Sequence, residues 1–164
     1  MITFVVPIHE WSHQAKVCFD RLHKQLESNE IVVVADQCEL PDIPAKVVHT
    51  STRLYAAGSR NLGAKHATHD VIVFVDSDIL VPNNFVKHCE DNYNKDQSSI
   101  YCFPMGTEVT DAYTAGFKGM LELYSTHYLY DKPRDTIQQL QGYCCVITKN
   151  LLKKTGHWVE TRTM

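Results

Sequence analysis

The 164 residues are 44% hydrophobic and 21% charged, enough apolar material for one folded core and too much for intrinsic disorder or a disulfide-stapled miniprotein. Sixteen Lys and Arg against nineteen Asp and Glu leave a net charge of -3 with no basic tract, which argues against a chain that lives on nucleic-acid phosphates. Apolar runs such as 31–35 and 71–75 fall far short of the roughly 20 residues of a spanning helix. Six scattered Cys fit reduced thiols better than a disulfide framework, and the first seven residues carry no basic segment of a signal peptide. The expectation is a chain without a transmembrane segment, in the cytoplasm and at most peripheral to the inner face of a membrane.

Residues 2–6 are a β-branched run that predicts a strand closed by Pro7, whose ring removes a ladder donor. Ser12 then reads as an N-cap. Ala15, Cys18, Phe19, Leu22 and Leu26 recur at three- and four-residue steps and predict a helix. The short continuous apolar run 31–35 predicts a strand buried on both faces, completing a βαβ unit. A turn-rich stretch with Pro41 and Pro44 leads to a brief strand at 46–48, a small-residue helix at 58–67 and a second fully apolar strand at 71–75. Pro82 marks the first turn of a further helix, with Phe85, Val86, Cys89 and Tyr93 on its apolar face. Strands at 99–103 and 143–147, a helix with loop at 112–130, and a helix at 150–155 followed by Gly156 complete the reading. This alternation predicts an α/β domain with a mostly parallel sheet flanked by helices and a ligand site at the carboxyl ends of the strands.

Those strand ends carry the chemistry. Asp76–Ser77–Asp78 follows the buried run 71–75 directly, where two carboxylates supply hard oxygen ligands for Mg²⁺ or Mn²⁺ carrying a phosphate. An Asx turn with helix-capping aspartates is the plain alternative. Asp36 follows the run 31–35, placed to accept a hydrogen bond from a nucleobase N–H, and Pro7 with His9 follows the first strand. The helix opening Ala56–Ala57–Gly58–Ser59–Arg60 offers backbone amides and one guanidinium to an anion, or simply packs closely on the sheet. His9–Glu10–Trp11–Ser12–His13 matches the zinc-hydrolase pattern H-E-x-x-H, but that chemistry needs one helix through all five residues and Ser12 reads as a helix start. His66 and His69 read as solvated at a polar helix end, and Cys144 and Cys145 as core thiols.

Four segments, in order, resemble the nucleotide-sugar-dependent glycosyltransferases of family 2, which have the GT-A fold. They are Val5–Val6–Pro7–Ile8–His9–Glu10, Val33–Val34–Ala35–Asp36, the helix Ala57–Gly58–Ser59–Arg60–Asn61–Leu62–Gly63–Ala64–Lys65–His66–Ala67, and the Asp-x-Asp segment Phe74–Val75–Asp76–Ser77–Asp78. A fifth, Gly142–Tyr143–Cys144–Cys145–Val146–Ile147 running to Gly156–His157–Trp158–Val159–Glu160, is similar to the family's acceptor-side strand and helix. The resemblance implies a metal-dependent, inverting transfer of a sugar from a nucleoside-diphosphate donor, a UDP-sugar, to a carbohydrate or lipid-linked acceptor hydroxyl. It implies that Pro7, His9, Asp36, Arg60 and Asp76 bind the nucleotide, and that Asp78 with Asp76 holds Mn²⁺ or Mg²⁺. Ala35 stands where the family has the first Asp of a pair, which implies fewer ribose or base contacts there.

The family's general base lies downstream of the fifth segment, commonly in a Glu-Asp pair. None follows Glu160 before Met164, and Glu90–Asp91 is on the wrong element. The expectation is therefore one GT-A-like domain over 1–164, with a nucleotide-sugar-binding half at 1–105 and a partial acceptor half at 106–164, a truncated transferase domain. The catalytic residue is unassigned, Glu160 being the candidate that remains. A non-catalytic nucleotide-binding domain and a zinc hydrolase through His9 and His13 are the alternative readings.

Overall fold

Four of the apolar runs lie side by side in one sheet, as continuous β-branched sequence between helices requires. The computed structural model describes residues 1–95, 100–102 and 144–158. Its strands are β1 (Ile2–Ile8), β2 (Glu30–Asp36), β3 (Lys46–Thr50), β4 (Val71–Val75), β5 (Tyr101–Cys102) and β6 (Cys144–Thr148), in the order β3-β2-β1-β4-β6-β5. The pairs β1–β2, β1–β4 and β2–β3 are parallel, and β6 runs antiparallel to β4. The helices are α1 (His13–His23), α2 (Tyr55–His66), α3 (Phe85–Lys95) and α4 (Lys149–Thr155). The chain divides into two compact units, Met1–Tyr101 with Gln141–Met164 and Cys102–Leu140; of the second, only Cys102 is among the described residues.

The core is the sheet's own side chains. Phe4, Val5, Val6, Val32, Val33, Val34, Ile72, Val73 and Phe74 have no exposure at all, so β1, β2 and β4 are covered on both faces. Pro7 does not close its strand: β1 continues to Ile8, with Pro7 beside Val34 of β2. The ladder with β4 ends at Val5–Phe74, so beyond it β1 is paired on one side and the missing donor is tolerated. The N-cap of α1 is Ser12, whose Oγ accepts from the Ala15 N–H at 3.1 Å. Leu26 lies past the helix end in a turn and still reaches the core. The helix expected from Pro82 starts at Phe85, and α4 starts at Lys149 and closes on Gly156 in the left-handed conformation, φ 87°. Both Cys144 and Cys145 are buried. His66 ends α2 exposed, whereas the His69 ring meets Thr3 Oγ1 at 3.2 Å, so only the first is solvated as expected. Of the expected strands 99–103 and 143–147, residues 99, 103 and 143 lie outside the described residues, as does the expected segment 112–130.

Close packing of α2 on β1 and β2 depends on Gly63. A Cβ there would stand 2.3 Å from Val5 Cγ1 and 3.2 Å from Val34 Cγ2. Gly63→Ala gains at most about 1 kcal/mol of helix propensity but overpacks a filled core, a cost of about 1–3 kcal/mol. The variant is expected to unfold at lower denaturant concentration than the parent, with part of the loss recovered in Gly63→Ala/Val5→Ala, which removes the methyl that the new Cβ strikes.

Candidate nucleotide and metal site

Because β2 and β4 flank β1 on opposite sides, three parallel strands end next to one another where the strand order reverses, the place such sheets leave a crevice. A cavity of about 360 Å³ opens there. Its walls are Pro7, His9 and Glu10 after β1, Asp36 at the end of β2, Asp76, Ser77 and Asp78 after β4, and Arg53, Tyr55 and Ser59 around the start of α2. The turn after β4 is closed by the Ile79 N–H donating to the Asp76 backbone carbonyl at 3.2 Å, a β-turn bond that leaves the Asp76 carboxylate out of the turn's own hydrogen bonding.

Asp76 is the half-buried member of the pair and Asp78 the exposed one. Arg60, 7% exposed on α2, donates from Nη2 to Asp76 Oδ1 and leaves the second oxygen unclaimed by Arg60. Burial pushes the Asp76 carboxyl above the ordinary aspartate range; the Arg60 charge and hydrogen bond oppose this, and Asp78 adds to it. The same negative field reaches Cys18 of α1, whose thiol lies 3.6 Å from the Asp76 carbonyl. Burial, then Asp78 and Asp76, push that thiol up to about 12, so it stays protonated. Among the described residues no cluster of three or more His, Cys, Asp or Glu is arranged to cage a metal. Two carboxylates on one cavity wall fit a hard divalent cation that arrives with phosphate oxygens completing its shell, the usual manner of Mg²⁺. The donors Asp76 and Asp78 therefore fit Mn²⁺ or Mg²⁺.

Arg60 faces Asp76 from behind and is not among the cavity-wall residues. Its guanidinium carbon lies 4.9 Å from the centre of the Trp158 ring, and that ring meets Phe74 of β4 edge-on at 5.5 Å. The backbone of Trp158 is clasped by the neighbouring Asn61: Nδ2 donates to the Trp158 carbonyl at 2.9 Å and Oδ1 accepts from its N–H at 3.0 Å. The segment after α4 thus supports Arg60, and Arg60 supports Asp76.

Asp36 is only 3% exposed, and its carboxylate is fully engaged. Oδ1 accepts from the Leu54 N–H at 2.8 Å and the Thr50 hydroxyl at 3.2 Å; Oδ2 accepts from the Tyr55 N–H at 2.9 Å and pairs with Arg53 Nε at 3.4 Å. Four partners match the roughly four lone-pair sites of a carboxylate. Helix α2 has no side-chain cap at Leu54, so Asp36 caps it from a different strand, which is why α2 begins three residues before the expected Gly58. Hydrogen-bonding a base N–H would compete with these bonds.

Pro7, His9, Asp36, Asp76 and Asp78 thus share one cavity, while Arg60 stands behind it and Glu160 lies outside the described residues. Arg53 and Tyr55 also line it and carry no motif; an Arg and an aromatic just ahead of a helix were the only signal. His9 sits in the bend after β1 and His13 is the first residue of α1, so the two do not share a helix as a zinc hydrolase would require.

Comparison with known proteins gives a consistent result. The family model for glycosyl transferase family 2 matches residues 3–156. The structure of S. aureus TarS (residues 1–349) in complex with UDP-GlcNAc superposes with a TM-score of 0.67 at 16% identity, covering 96% of this chain and 48% of that one. A mannosyltransferase from Pyrobaculum calidifontis in complex with GDP-Man and Mn²⁺ gives 0.67 at 18% identity, covering 97% and 47%. Both likenesses show the GT-A fold. An uncharacterized glycosyltransferase of Haemophilus influenzae is 28% identical over 86 residues, 48% of this chain and 29% of the relative. The chain spans about half the length of these structures and under a third of that relative.

Removing the Asp36 carboxylate strands the Leu54 and Tyr55 N–H groups, at about 1–3 kcal/mol for the unmet donors. Chemical denaturation of Asp36→Ala is expected to show that loss without any nucleotide present, and Asp36→Asn, which keeps one acceptor oxygen, a smaller one. Equal midpoints for all three proteins would remove Asp36 as the cap of α2.

Proposed function

The chain belongs to glycosyl transferase family 2, and from that premise we propose that its cavity binds a nucleoside-diphosphate sugar, a UDP-sugar, for transfer to an acceptor hydroxyl with inversion at the anomeric carbon. The observation that carries this reading is the meeting of Asp76 and Asp78 with Pro7, His9 and the start of α2 on one cavity at the strand-order reversal. Its volume of about 360 Å³ lies in the range of small-molecule sites. UDP-GlcNAc in TarS and GDP-Man with Mn²⁺ in the mannosyltransferase support the donor class and the cation. The acceptor, in this proposal, is a carbohydrate or a lipid-linked sugar.

In this reading Asp76 and Asp78 would hold Mn²⁺ or Mg²⁺, with Arg60 fixing the rotamer of Asp76. The bound cation supplies Lewis-acid assistance to departure of the nucleoside diphosphate. The residues after β1 enclose the nucleoside, and the neutral Cys18 beneath Asp76 adds no further negative charge to the diphosphate end. Among the described residues no helix is long and apolar enough to cross a membrane; a cytoplasmic place of action is part of this proposal.

Calorimetry of UDP with and without Mn²⁺ tests the assignment. The parent is expected to bind UDP more tightly with Mn²⁺, and Asp78→Ala to lose that metal-dependent gain while melting at the parent temperature, because Asp78 is exposed. An unchanged gain in Asp78→Ala would show the metal assignment to be wrong. The pH dependence has a definite sign. With its value raised in the folded state, Asp76 keeps its proton to higher pH than the unfolded chain does, so its contribution to folding stability falls as pH rises through that raised value. The cation needs the carboxylate and competes with the proton. Mn²⁺ affinity is therefore expected to weaken on acidification at a higher pH than an unperturbed aspartate would give.

A further inference from the structure

The Arg53–Tyr55 turn has no part in the metal-holding arrangement, yet it carries the molecule's most unusual backbone on the cavity wall. Tyr55 is a non-glycine residue with φ 58°, in the left-handed region that bulky side chains rarely adopt. The residue is 60% exposed, one of three large hydrophobic residues exposed among the described residues, and it lines the cavity. The guanidinium carbon of Arg53 lies 5.5 Å from the ring centre, while Asp36 Oδ2 holds both the Tyr55 N–H and the Arg53 side chain. A strained backbone, a buried carboxylate and a cation–π contact thus converge to keep one aromatic ring presented to the cavity, and strain of this kind collects at ligand clamps.

Resting on the donor reading above, we infer that Tyr55 is the stacking surface for the nucleobase and that Asp36 is a positioning residue acting on the base through the 53–55 turn. The topology assigns the moiety. Asp76 and Asp78 follow β4, on one side of β1, and the Asp36–Tyr55 cluster follows β2 on the other. A diphosphate held with a cation at the β4 end leaves the neutral, planar end of the nucleotide facing the β2 end. There an aromatic face backed by a guanidinium suits a base, whose π-face stacks without needing Asp36 to give up an acceptor site.

The test compares UDP with inorganic pyrophosphate, a probe that lacks the base, each with Mn²⁺ and each titrated calorimetrically into the parent, Tyr55→Phe and Tyr55→Gly. Glycine adopts φ 58° freely, so Tyr55→Gly is expected to melt no lower than the parent. It is expected to bind UDP roughly tenfold more weakly, in line with the loss of one stacked base, and pyrophosphate within twofold of the parent. Tyr55→Phe, which keeps the ring, should bind both probes like the parent. Parent-like UDP affinity in Tyr55→Gly, or an equal loss of UDP and pyrophosphate, overturns the inference. A parent that binds neither probe overturns the donor reading on which it rests.

Discussion

A single buried carboxylate holds the start of α2 in place, and the candidate cavity is built around that start. Asp36 ends β2 in the sheet interior, and an aspartate that is 3% exposed is tolerated there only because four donors surround it. Two of those donors are the first amides of α2, a helix with no side-chain cap of its own. The capped helix carries Tyr55 and Ser59 to the cavity, Arg60 to Asp76, Asn61 to Trp158 and Gly63 against Val5. Loosening the cap would therefore disturb both ends of the cavity through one rigid element.

The second constraint is electrostatic. Asp76 and Asp78 share the strand exit with Arg60 as the cation paired to Asp76 among the described residues, and Arg60 is itself kept in position by an aromatic ring far along the chain. Removing Asp76 would leave the buried Arg60 guanidinium without its charged partner. Burial is the leading cause of both the raised Asp76 value and the silenced Cys18 thiol, and a local excess of negative charge adds to each. In the proposed reading a divalent cation would relieve that excess, and a diphosphate without one would meet repulsion.

The sheet was legible because buried parallel strands advertise themselves. Val71–Val75 is an uninterrupted β-branched and aromatic run, and its observed limits are those of the sequence pattern. The Asp-x-Asp position followed from where that run stops. What sequence could not disclose is non-local. The cap of α2 lies 18 residues before Leu54, so local propensity placed the helix start at Gly58. The clasp between Asn61 and Trp158 spans 97 residues. The end of an apolar run brings Asp36 to the cavity, where contact with a base would compete with the bonds its carboxylate already makes, and these bonds are invisible in the local sequence; Arg53 and Tyr55 are exposed residues ahead of a helix and carry no periodicity.

Manganese-induced broadening of backbone amide resonances tests the central claim, that a cation and a nucleotide meet at the carboxyl ends of β1, β2 and β4, most directly. Spectra of the chain with Mn²⁺ and UDP together should lose the Ser77, Asp78, His9 and Glu10 amides first and spare those of α4, with much weaker broadening when UDP is left out. Broadening centred on His13 and independent of UDP, or spread evenly over the chain, would contradict the account.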